Sequence, residues 1–508
     1  MDRWLGWIVA AALALASLPA SGGTLREDVR AWRLKNEKAV VGELADLVAI
    51  PNVADKVEDI DRNAEAVSAL LARRGLKTKI LSAGPGTPAS VFGELKTPGA
   101  RRTVVFYAHM DGQPAPRAGW FSEPFTAVMR EGLPREGAPD IDWRAHQGPM
   151  NPEWRLYGRS TSDDKGPIVA LMAALDAVRA SGRKPSVNIK VFIEGEEEAG
   201  SPHLAKILAE NRELLKADAW ILLDGPVHQT RAPQVLFGAR GVSEVEMTVY
   251  GPLRPLHDGH YGNWAPNPGV MLAHLIARMR GEDGRILIPG FGDGVRPLTP
   301  AEERALAALP PVEEQLRRDL ALGRTETDER LLNAISRPSI NLRGVAAGGV
   351  GEAANNAVPT EARASIDFRL VPDQTPQKVR ERFEAWLRAE GWHIVYEAPT
   401  PEVRAAHPKL IRLDWNLGYA AVRTDMDLPV SKAVIASVER GAGRPPLVVP
   451  MLGGSVPMHF FAELGAPVLL VPMVNHDNNQ HAVNENLRLQ NLWDGIEIYA
   501  ALIADLRW

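Results

Sequence analysis

The chain has 508 residues, of which 45% are hydrophobic, carries a formal net charge of -5 and contains no cysteine. A chain of this length is expected to form more than one globular unit, because a single hydrophobic core stops growing at about 250–300 residues. The slightly acidic balance, without a Lys/Arg-rich tract, argues against nucleic acid as a partner. The lack of cysteine excludes disulfides, thiolate metal sites and a cysteine nucleophile, so any metal must be bound by nitrogen and oxygen.

The first predicted element is an N-terminal targeting segment. Asp2 and Arg3 precede an apolar stretch at residues 4–18, and small residues follow at 19–23. Because the apolar stretch is shorter than the roughly 20 residues that span a bilayer, we interpret residues 1–22 as a signal peptide. This interpretation predicts an exported protein, either periplasmic or secreted. An uncleaved membrane anchor is the alternative.

The chain up to about residue 224 alternates helical periodicity with short apolar strands. The strands are predicted at residues 104–107, 187–193 and 219–223. This alternation predicts an α/β fold with a mostly parallel sheet flanked by helices. Functional groups in such folds gather beyond the carboxyl ends of the strands, which is where His109, Glu198 and Asp224 fall.

The pattern changes after about residue 240. Polar and apolar residues alternate at 244–249 and at 361–370. Strict alternation is typical of strands with one solvent-exposed face, so we predict an α+β domain with an antiparallel sheet, inserted into the first domain. The predicted divisions are 24–239 for the first part of the catalytic domain, 240–398 for the inserted domain and 399–508 for the second part of the catalytic domain.

The main candidates for chemistry are the possible ligands of a two-metal site. They are His109, Asp163, Glu198, Asp224 and His481. His109 and Asp111 are two residues apart, so they project to the same side if the strand continues. A neutral imidazole can bind a metal with one nitrogen while a carboxylate accepts a hydrogen bond from the other. We therefore interpret His109 as a ligand and Asp111 as the residue that orients it.

Asp163 lies in a loop that is predicted to run into a helix beginning near Lys165. A carboxylate in such a loop could bridge two cations with its two oxygen atoms. Alternatively, Ser162 or Asp163 could cap the N-terminus of the helix. The residues alone leave both interpretations open.

Three adjacent carboxylates occur at Glu196, Glu197 and Glu198. They repel one another and need a positive partner if they are partly buried, and a bound metal would supply it. In an extended backbone Glu198 can bind the metal while Glu197 accepts a proton from an activated water as the general base. The alternative is a solvated acidic turn. The apolar strand before this run and Gly200 after it favour the metal site.

Several segments, in the same order along the chain, match motifs of one known family. They are AHMDGQP at 108–114, LYGRSTSDDKGP at 156–167, EGEEEAGS at 194–201, LHDG at 256–259, ILIPG at 286–290, FRLVP at 368–372, GGSVP at 453–457 and HAVNE at 481–485. On these segments the chain resembles the clan MH metallopeptidases of the carnosinase and nonspecific-dipeptidase type. Their relatives include aminoacylase, glutamate carboxypeptidase and succinyl-diaminopimelate desuccinylase.

The resemblance implies a site with two divalent metal ions, zinc or manganese, or else cobalt. In such a site Asp163 bridges the two ions, and His109 and Asp224 complete one coordination sphere. Glu198 and His481 complete the other. Glu197 is then the general base, and Asp111 is the partner of the first histidine.

The resemblance also implies a homodimer formed through the inserted domain, which acts as a lid. In such relatives the domain lends a histidine, here His257, across the interface to the carbonyl oxygen of the scissile bond. Asn356 and Arg369 match positions that bind the substrate carboxylate or the tetrahedral oxygens. Gly454 and Ser455 match a loop around the C-terminal end of the substrate.

The expected function is hydrolysis of the amide bond of a dipeptide or short peptide with a free C-terminal carboxylate. One alternative is a deacylase of N-acyl amino acids that uses the same site. Another is an exported binding protein without turnover, although that function predicts a lost ligand or base and neither is lost. The chain also carries an insert at 126–155, where such dipeptidases have a short turn. This insert could line or cap the pocket.

Overall fold

The computed structural model describes residues 23–133 and 139–508. The predicted signal peptide, residues 1–22, lies outside these ranges. Among the described residues, no helix combines the length and the apolar character that crossing a membrane requires.

The helices and strands of the described chain are numbered here in chain order. Up to residue 239 they are α1 (Leu25–Val48), α2 (Val57–Ala72), β1 (Lys77–Leu81), β2 (Ser90–Leu95), β3 (Thr103–His109), β4 (Val128–Glu131), β5 (Asp140–Ile141), β6 (Trp154–Tyr157), α3 (Lys165–Ala180), β7 (Asn188–Glu194), α4 (Leu204–Glu210), α5 (Arg212–Leu215), β8 (Ala219–Leu222), β9 (Gln234–Leu236) and β10 (Gly238–Ala239). A short 3-10 helix, Glu197–Ala199, follows β7.

Two further groups of elements complete the chain. Between residues 241 and 419 they are β11 (Gly241–Tyr250), β12 (Leu256–His257), α6 (Asp258–Tyr261), α7 (Pro268–Met279), α8 (Pro300–Ala308), α9 (Glu313–Asp319), α10 (Leu331–Ile335), β13 (Ser339–Ala346), β14 (Ala357–Val358), β15 (Glu361–Leu370), α11 (Pro376–Ala389), β16 (His393–Val395), α12 (Pro401–Ala406) and β17 (Leu410–Tyr419). After residue 421 they are β18 (Val422–Arg423), α13 (Pro429–Ala442), β19 (Leu447–Val449), α14 (Met458–Ala462), β20 (Val468–Leu470), β21 (Asn486–Arg488) and α15 (Leu489–Ala504).

The central sheet has eight strands in the order β1-β2-β7-β3-β8-β20-β9-β19. Its middle strands β7, β3, β8 and β20 pair in parallel, while β2 is antiparallel to β7 and β9 is antiparallel to β20. At one edge, β1 pairs antiparallel with β2. Strand β3 lies at the centre, and its side chains from Val104 to His109 are buried. A run of apolar residues without alternation is expected for such a strand, because helices cover both faces of the sheet.

Helices α1, α3, α13 and α15 pack on one face of this sheet and form one continuous core with it. Helices α4 and α14 lie on the other face, where Trp220 of β8 stacks on Phe461 with ring centroids 4.6 Å apart. Helix α3 is buried almost throughout because it lies between the sheet, α1 and α15. The predicted α/β fold with a mostly parallel sheet flanked by helices is confirmed.

The second sheet has five strands in the order β13-β15-β11-β17-β16. Strands β13, β15, β11 and β17 are antiparallel, and α7 and α11 cover one face through a separate apolar core. The predicted alternation at 244–249 and 361–370 falls in β11 and β15. Strand β17, however, lies beyond residue 398, where the inserted domain was expected to end. Because β17 pairs with β11 along most of its length, we propose that this domain extends to about residue 420.

Part of the predicted insert at 126–155 packs against α1, on the face of the central sheet that α1, α3, α13 and α15 cover. The backbone N–H of Met150 donates to Oε2 of Glu37 in α1 at 2.6 Å, and Nζ of Lys38 donates to the carbonyl oxygen of Arg144 at 3.0 Å. Trp143 is buried in the core that includes α1. Residues 143–150 of the insert are therefore fastened to α1, while its strands β4 and β6 pair with each other and β6 pairs with β21.

Candidate metal centre

The parallel middle strands bring three of the predicted ligands to one edge of the central sheet. His109 is the last residue of β3, Glu198 lies in the 3-10 helix after β7, and Asp224 comes two residues after β8. Asp163 precedes α3, and His481 lies in the loop between β20 and β21. The structure thus brings together all five predicted ligands from segments that are far apart in the chain.

The carboxylate of Asp163 is the centre of this group. Its Oδ1 lies 3.0 Å from Nε2 of His109, and its Oδ2 lies 3.1 Å from Nε2 of His481. The same His481 nitrogen lies 3.1 Å from Oε2 of Glu198. Each oxygen of one carboxylate therefore faces a different histidine, which is the arrangement that a bridging ligand needs.

The ligand atoms form two neighbouring groups that could each hold a metal ion. One group consists of His109, Asp164 and Asp224, the other of Asp163, Glu198 and His481, and within each group the atoms lie within 4.8 Å of one another. Imidazole nitrogen and carboxylate oxygen are ligands that zinc and other divalent metals accept. Asp164 was not among the predicted residues, although it directly follows the predicted bridging residue.

Two carboxylates of this site, Asp164 and Asp224, are buried and repel one another, and both effects raise their pKa values. Burial, with the charge of Asp163, raises the pKa of Asp224 to about 7. Burial and the charge of Asp224 also raise the pKa of Asp164 well above its ordinary value, and Oδ1 of Asp164 has no hydrogen-bond partner in the described chain. Buried carboxylates of this kind need a cation, so the residues fit a pair of divalent metal ions.

The two histidines lie next to carboxylates, and these raise the pKa of both imidazoles. Hydrogen bonds to Asp163 and Glu198 raise the pKa of His481 to about 10. Burial lowers the pKa of His109, but hydrogen bonds to Asp111 and Asp163 outweigh it and raise that pKa well above the ordinary value. A metal must displace these imidazole protons in order to bind, so metal binding at this site releases protons.

Asp111 connects the first histidine to the acidic run. Its Oδ1 lies 3.3 Å from Nδ1 of His109 and accepts a hydrogen bond from the backbone N–H of Glu197 at 3.1 Å. Its Oδ2 accepts from the backbone N–H of Glu198 at 3.0 Å. One buried carboxylate therefore fixes the positions of the ring of His109 and of the segment that carries Glu197 and Glu198.

The acidic run is not a solvated turn. Glu196 is buried, and its Oε2 lies 2.8 Å from Nδ1 of His203, while Glu197 and Glu198 are half-buried. Burial raises the pKa of Glu197 well above its ordinary value, and the charges of Asp224 and Glu198 add to this against an opposing effect of His109. The Glu197 carboxylate therefore interacts electrostatically with the candidate ligands, one of which, Glu198, is its neighbour in the 3-10 helix.

The loop around Asp163 depends on a buried carboxylate that we did not single out from the sequence. Glu485 accepts hydrogen bonds from the backbone N–H groups of Ser160, Ser162 and Asp163, each at 3.0 Å. It also forms a buried ion pair with Arg159 at 2.8 Å. By contrast, α3 begins without a side-chain cap, so neither Ser162 nor Asp163 acts as the helix cap that was the alternative.

Two amide side chains also contact the candidate ligands. Nε2 of Gln113 donates to Oε2 of Glu198 at 2.9 Å, and Nε2 of Gln480 donates to Oδ2 of Asp163 at 3.2 Å. Gln113 belongs to the AHMDGQP segment, and Glu485 to the HAVNE segment. The signal for both was therefore present in the motifs, but their roles depend on contacts between distant segments.

The predicted substrate-binding residues form two separate groups. Nη1 of Arg369 donates to Oγ of Ser455 at 2.9 Å, and the carbonyl oxygen of neighbouring Gly454 accepts from the backbone of Arg240. Asn356 and His257 lie together on the exposed β12–β14 ribbon of the second sheet's domain. In the described chain His257 forms no hydrogen bond or ion pair with the five candidate ligands.

Most of the chain matches one known protein family. Residues 105–505 match the peptidase family M20/M25/M40.

The chain belongs to this M20 family of metallopeptidases. Among its relatives is the Cys-Gly metallodipeptidase dug1 of Schizosaccharomyces pombe, which is 25% identical over 95% of this chain and 96% of that protein. The Beta-Ala-His dipeptidase of Homo sapiens is 25% identical over 100% of this chain and 99% of that protein.

Solved M20 structures have the same fold. The metallo-carboxypeptidase Sso-CP2 of Sulfolobus solfataricus matches with a TM-score of 0.75 and 27% identity, covering 91% of this chain and 98% of that chain. Human carnosine dipeptidase 1 matches with a TM-score of 0.74 and 24% identity, covering 94% and 98%. The resemblance to carnosinase-type metallopeptidases and the assignment as a metal-dependent hydrolase are confirmed.

The predicted location of the protein is corrected by these comparisons. Export, whether periplasmic or secreted, and the membrane anchor were inferred from residues 1–22 alone. The match to the dug1 and Beta-Ala-His dipeptidases extends over nearly the whole chain and contradicts that inference. The prediction of an exported or anchored protein is therefore wrong, because the composition of one short segment does not determine where a protein resides.

Proposed function

We propose that this M20 peptidase hydrolyses the peptide bond of dipeptides that carry a free carboxylate. The observation that carries the proposal is the buried carboxylate of Asp163, whose two oxygens face His109 and His481. Relatives along the whole chain are named as dipeptidases. Dipeptides are therefore the substrate class that we infer for this site.

The residues present fit two divalent metal ions. We assign Asp163 as the shared ligand, with His109 and Asp224 for one ion and Glu198 and His481 for the other. The mixed nitrogen and oxygen donors suit zinc or manganese, and also cobalt. When bound, such ions polarise the carbonyl group of the substrate and make a water molecule more acidic.

We assign Glu197 as the general base. Its raised pKa suits a group that accepts a proton from the attacking water and passes it to the leaving amine. Asp111 orients His109, whose Nδ1 lies 3.2 Å from the carbonyl oxygen and 3.3 Å from Oδ1 of Asp111, and it holds Glu197 by accepting a hydrogen bond from its backbone N–H. Asp111 therefore holds the ligand His109 and the base Glu197 in fixed positions relative to each other.

We assign the substrate carboxylate to the neighbourhood of Arg369, with Ser455 and Gly454 beside it. The guanidinium of Arg369 is half-buried and pairs with Asp367 through Nε at 2.9 Å, which leaves its outer edge near Ser455 to bind a ligand. Asn356 is assigned to the oxygens of the reacting centre. No observation in this site favours N-acyl amino acids over dipeptides.

We further infer that two chains associate through the inserted domain. Strand β13 is the edge of its sheet, and its side chains Leu342 and Val345 are exposed. Trp264 of the same domain is 79% exposed. An exposed apolar edge of this kind is a typical interaction surface. In such a dimer, His257 of one chain would reach the site of the other.

The experiment is a hydrolysis screen with purified protein against dipeptides, dipeptide amides and N-acetyl amino acids. We expect dipeptide cleavage that a chelator abolishes and that added zinc or manganese restores. Cleavage of N-acetyl amino acids alone would reject the dipeptidase proposal. Sedimentation tests the dimer, and a fully active monomer would reject both the dimer and the role of His257.

A further inference from the structure

Tyr419, the last residue of β17, lies on the same face of the second sheet as Arg369. Val242 of β11 pairs with Arg369 of β15 on one side and with Tyr419 on the other. Residues directly opposite each other in antiparallel strands place their side chains on the same face of the sheet. Tyr419 and Arg369 therefore project together, with one strand between them.

Both side chains face one segment of the catalytic domain. Nη1 of Arg369 donates to Oγ of Ser455 at 2.9 Å, and the ring of Tyr419 lies 5.6 Å from the ring of Phe460. Ser455 and Phe460 are five residues apart, in the GGSVP loop and in the helix that follows it. Tyr419 thus contacts the same segment of the catalytic domain as Arg369, which is assigned to the substrate.

The hydroxyl group of Tyr419 has no partner among the described residues. The side chain is half-buried, and its hydroxyl forms no hydrogen bond within the described chain. Burial and the carboxylate of Glu197 raise the pKa of Tyr419, with Asp224 adding to this and Arg369 opposing it. The phenol is therefore a neutral hydrogen-bond donor.

Adjacent strands lie about 4.8 Å apart, so the backbones of Arg369 and Tyr419 are separated by roughly 10 Å. Side chains of this length can both reach a small group placed between them. Resting on the function proposed above, we propose that Tyr419 donates a hydrogen bond to the free carboxylate of the substrate, beside the guanidinium of Arg369. It is then a residue that selects substrates with a free carboxylate.

The test compares Tyr419→Phe with the parent enzyme on a dipeptide and on the C-terminal amide of that dipeptide. Loss of a hydrogen bond to a charged group is expected to raise KM for the dipeptide about tenfold and to leave kcat within about twofold. The amide lacks the charge that the phenol recognises, so its kinetics should change by less than about twofold. The matched control is Tyr250→Phe at the other end of β11, which should change neither substrate.

Several results would overturn this role. They are an unchanged KM for the dipeptide, a fall in kcat at constant KM, and an equal loss on the dipeptide and the amide. A binding measurement keeps the test independent of turnover: calorimetry with free alanine should show affinity about tenfold weaker in Tyr419→Phe. Equal affinity rejects the proposal for Tyr419, whereas failure of the parent protein to cleave any dipeptide rejects the proposed function instead.

Discussion

Oε1 of Glu485 accepts a hydrogen bond from the backbone N–H of Asp163 at 3.0 Å. The same oxygen accepts from the hydroxyl of Ser162 at 2.8 Å, and the other oxygen pairs with Arg159. Glu485 is completely buried. The position of the candidate bridging ligand is therefore set by a residue more than three hundred positions later in the chain.

Replacing Glu485 by Gln should disrupt this loop. One carboxylate oxygen becomes an N–H donor, which faces other donors in a buried environment, so we expect a loss of about 2–4 kcal/mol in the free energy of unfolding. Metal content should fall together with stability. Thermal unfolding and elemental analysis of the purified variant measure both. The control Glu314→Gln weakens an exposed ion pair with Arg318 and should have little effect; a similar result for both variants would contradict the assignment.

Replacing Glu197 by Gln should abolish turnover without removing metal. A general base contributes about 10²- to 10⁴-fold, and the amide cannot accept the proton, so kcat should fall by at least about a hundredfold. Metal content and melting temperature should stay at the parent values. Steady-state kinetics and elemental analysis provide the measurement, with Glu213→Gln on the exposed helix α5 as the control. Parent-like kcat in the Glu197 variant would show that another group is the base.

The two-group arrangement predicts different metal losses for His481 and Asp163. His481→Ala removes a ligand of one group only, so about one metal ion per chain should remain. Asp163→Ala removes the carboxylate that faces both histidines, so both ions should be lost. Metal-to-protein ratios measured after dialysis distinguish the loss of one ion from the loss of both. His459→Ala, in the same domain but outside both groups, should keep the full ratio, and equal losses in the two ligand variants would exclude a bridging role.

Acid should destabilise the segment that leads to His481. Burial raises the pKa of Asp477, but its hydrogen bond and ion pair with Arg155 outweigh burial and hold that pKa below the ordinary value. A carboxyl group with a lowered folded-state pKa contributes stability above its unfolded-state pKa, and this stability is lost as the pH falls. Urea unfolding between about pH 6 and pH 3 should therefore show a flatter pH dependence for Asp477→Asn than for the parent. An identical slope would show that this ion pair does not contribute.

Much of the fold and of the site could be predicted because the relevant signals are local. The apolar run from Val104 to Tyr107 predicts a strand covered on both faces, and the structure has it as β3, at the centre of the sheet. The alternating residues at 244–249 and 361–370 fall in β11 and β15. The five ligand candidates follow from residue type and motif, and three of them, His109, Glu198 and Asp224, meet because parallel strands end at one edge.

Other features became visible only in the folded chain. Strand β17 belongs to the second sheet because it pairs with β11, and the residues of β17 alone do not predict this pairing. The role of Glu485 requires the loop at 160–163 to fold against it, and the packing of the 126–155 insert on α1 requires two distant surfaces to fit. Asp164 belongs to one ligand group because of the position of its side chain, whereas the motif had indicated its neighbour Asp163 as the ligand.

The sequence by itself therefore determined the family, the type of each sheet and the residues capable of binding metal, because periodicity and motifs report local burial and local chemistry. The tertiary structure decided which carboxylate supports which ligand, that β17 belongs to the second sheet and that Tyr419 and Arg369 share one face of it. These relationships depend on pairing and packing between segments that are far apart in the chain. The free energy of such a contact depends on both surfaces, so neither segment predicts it alone.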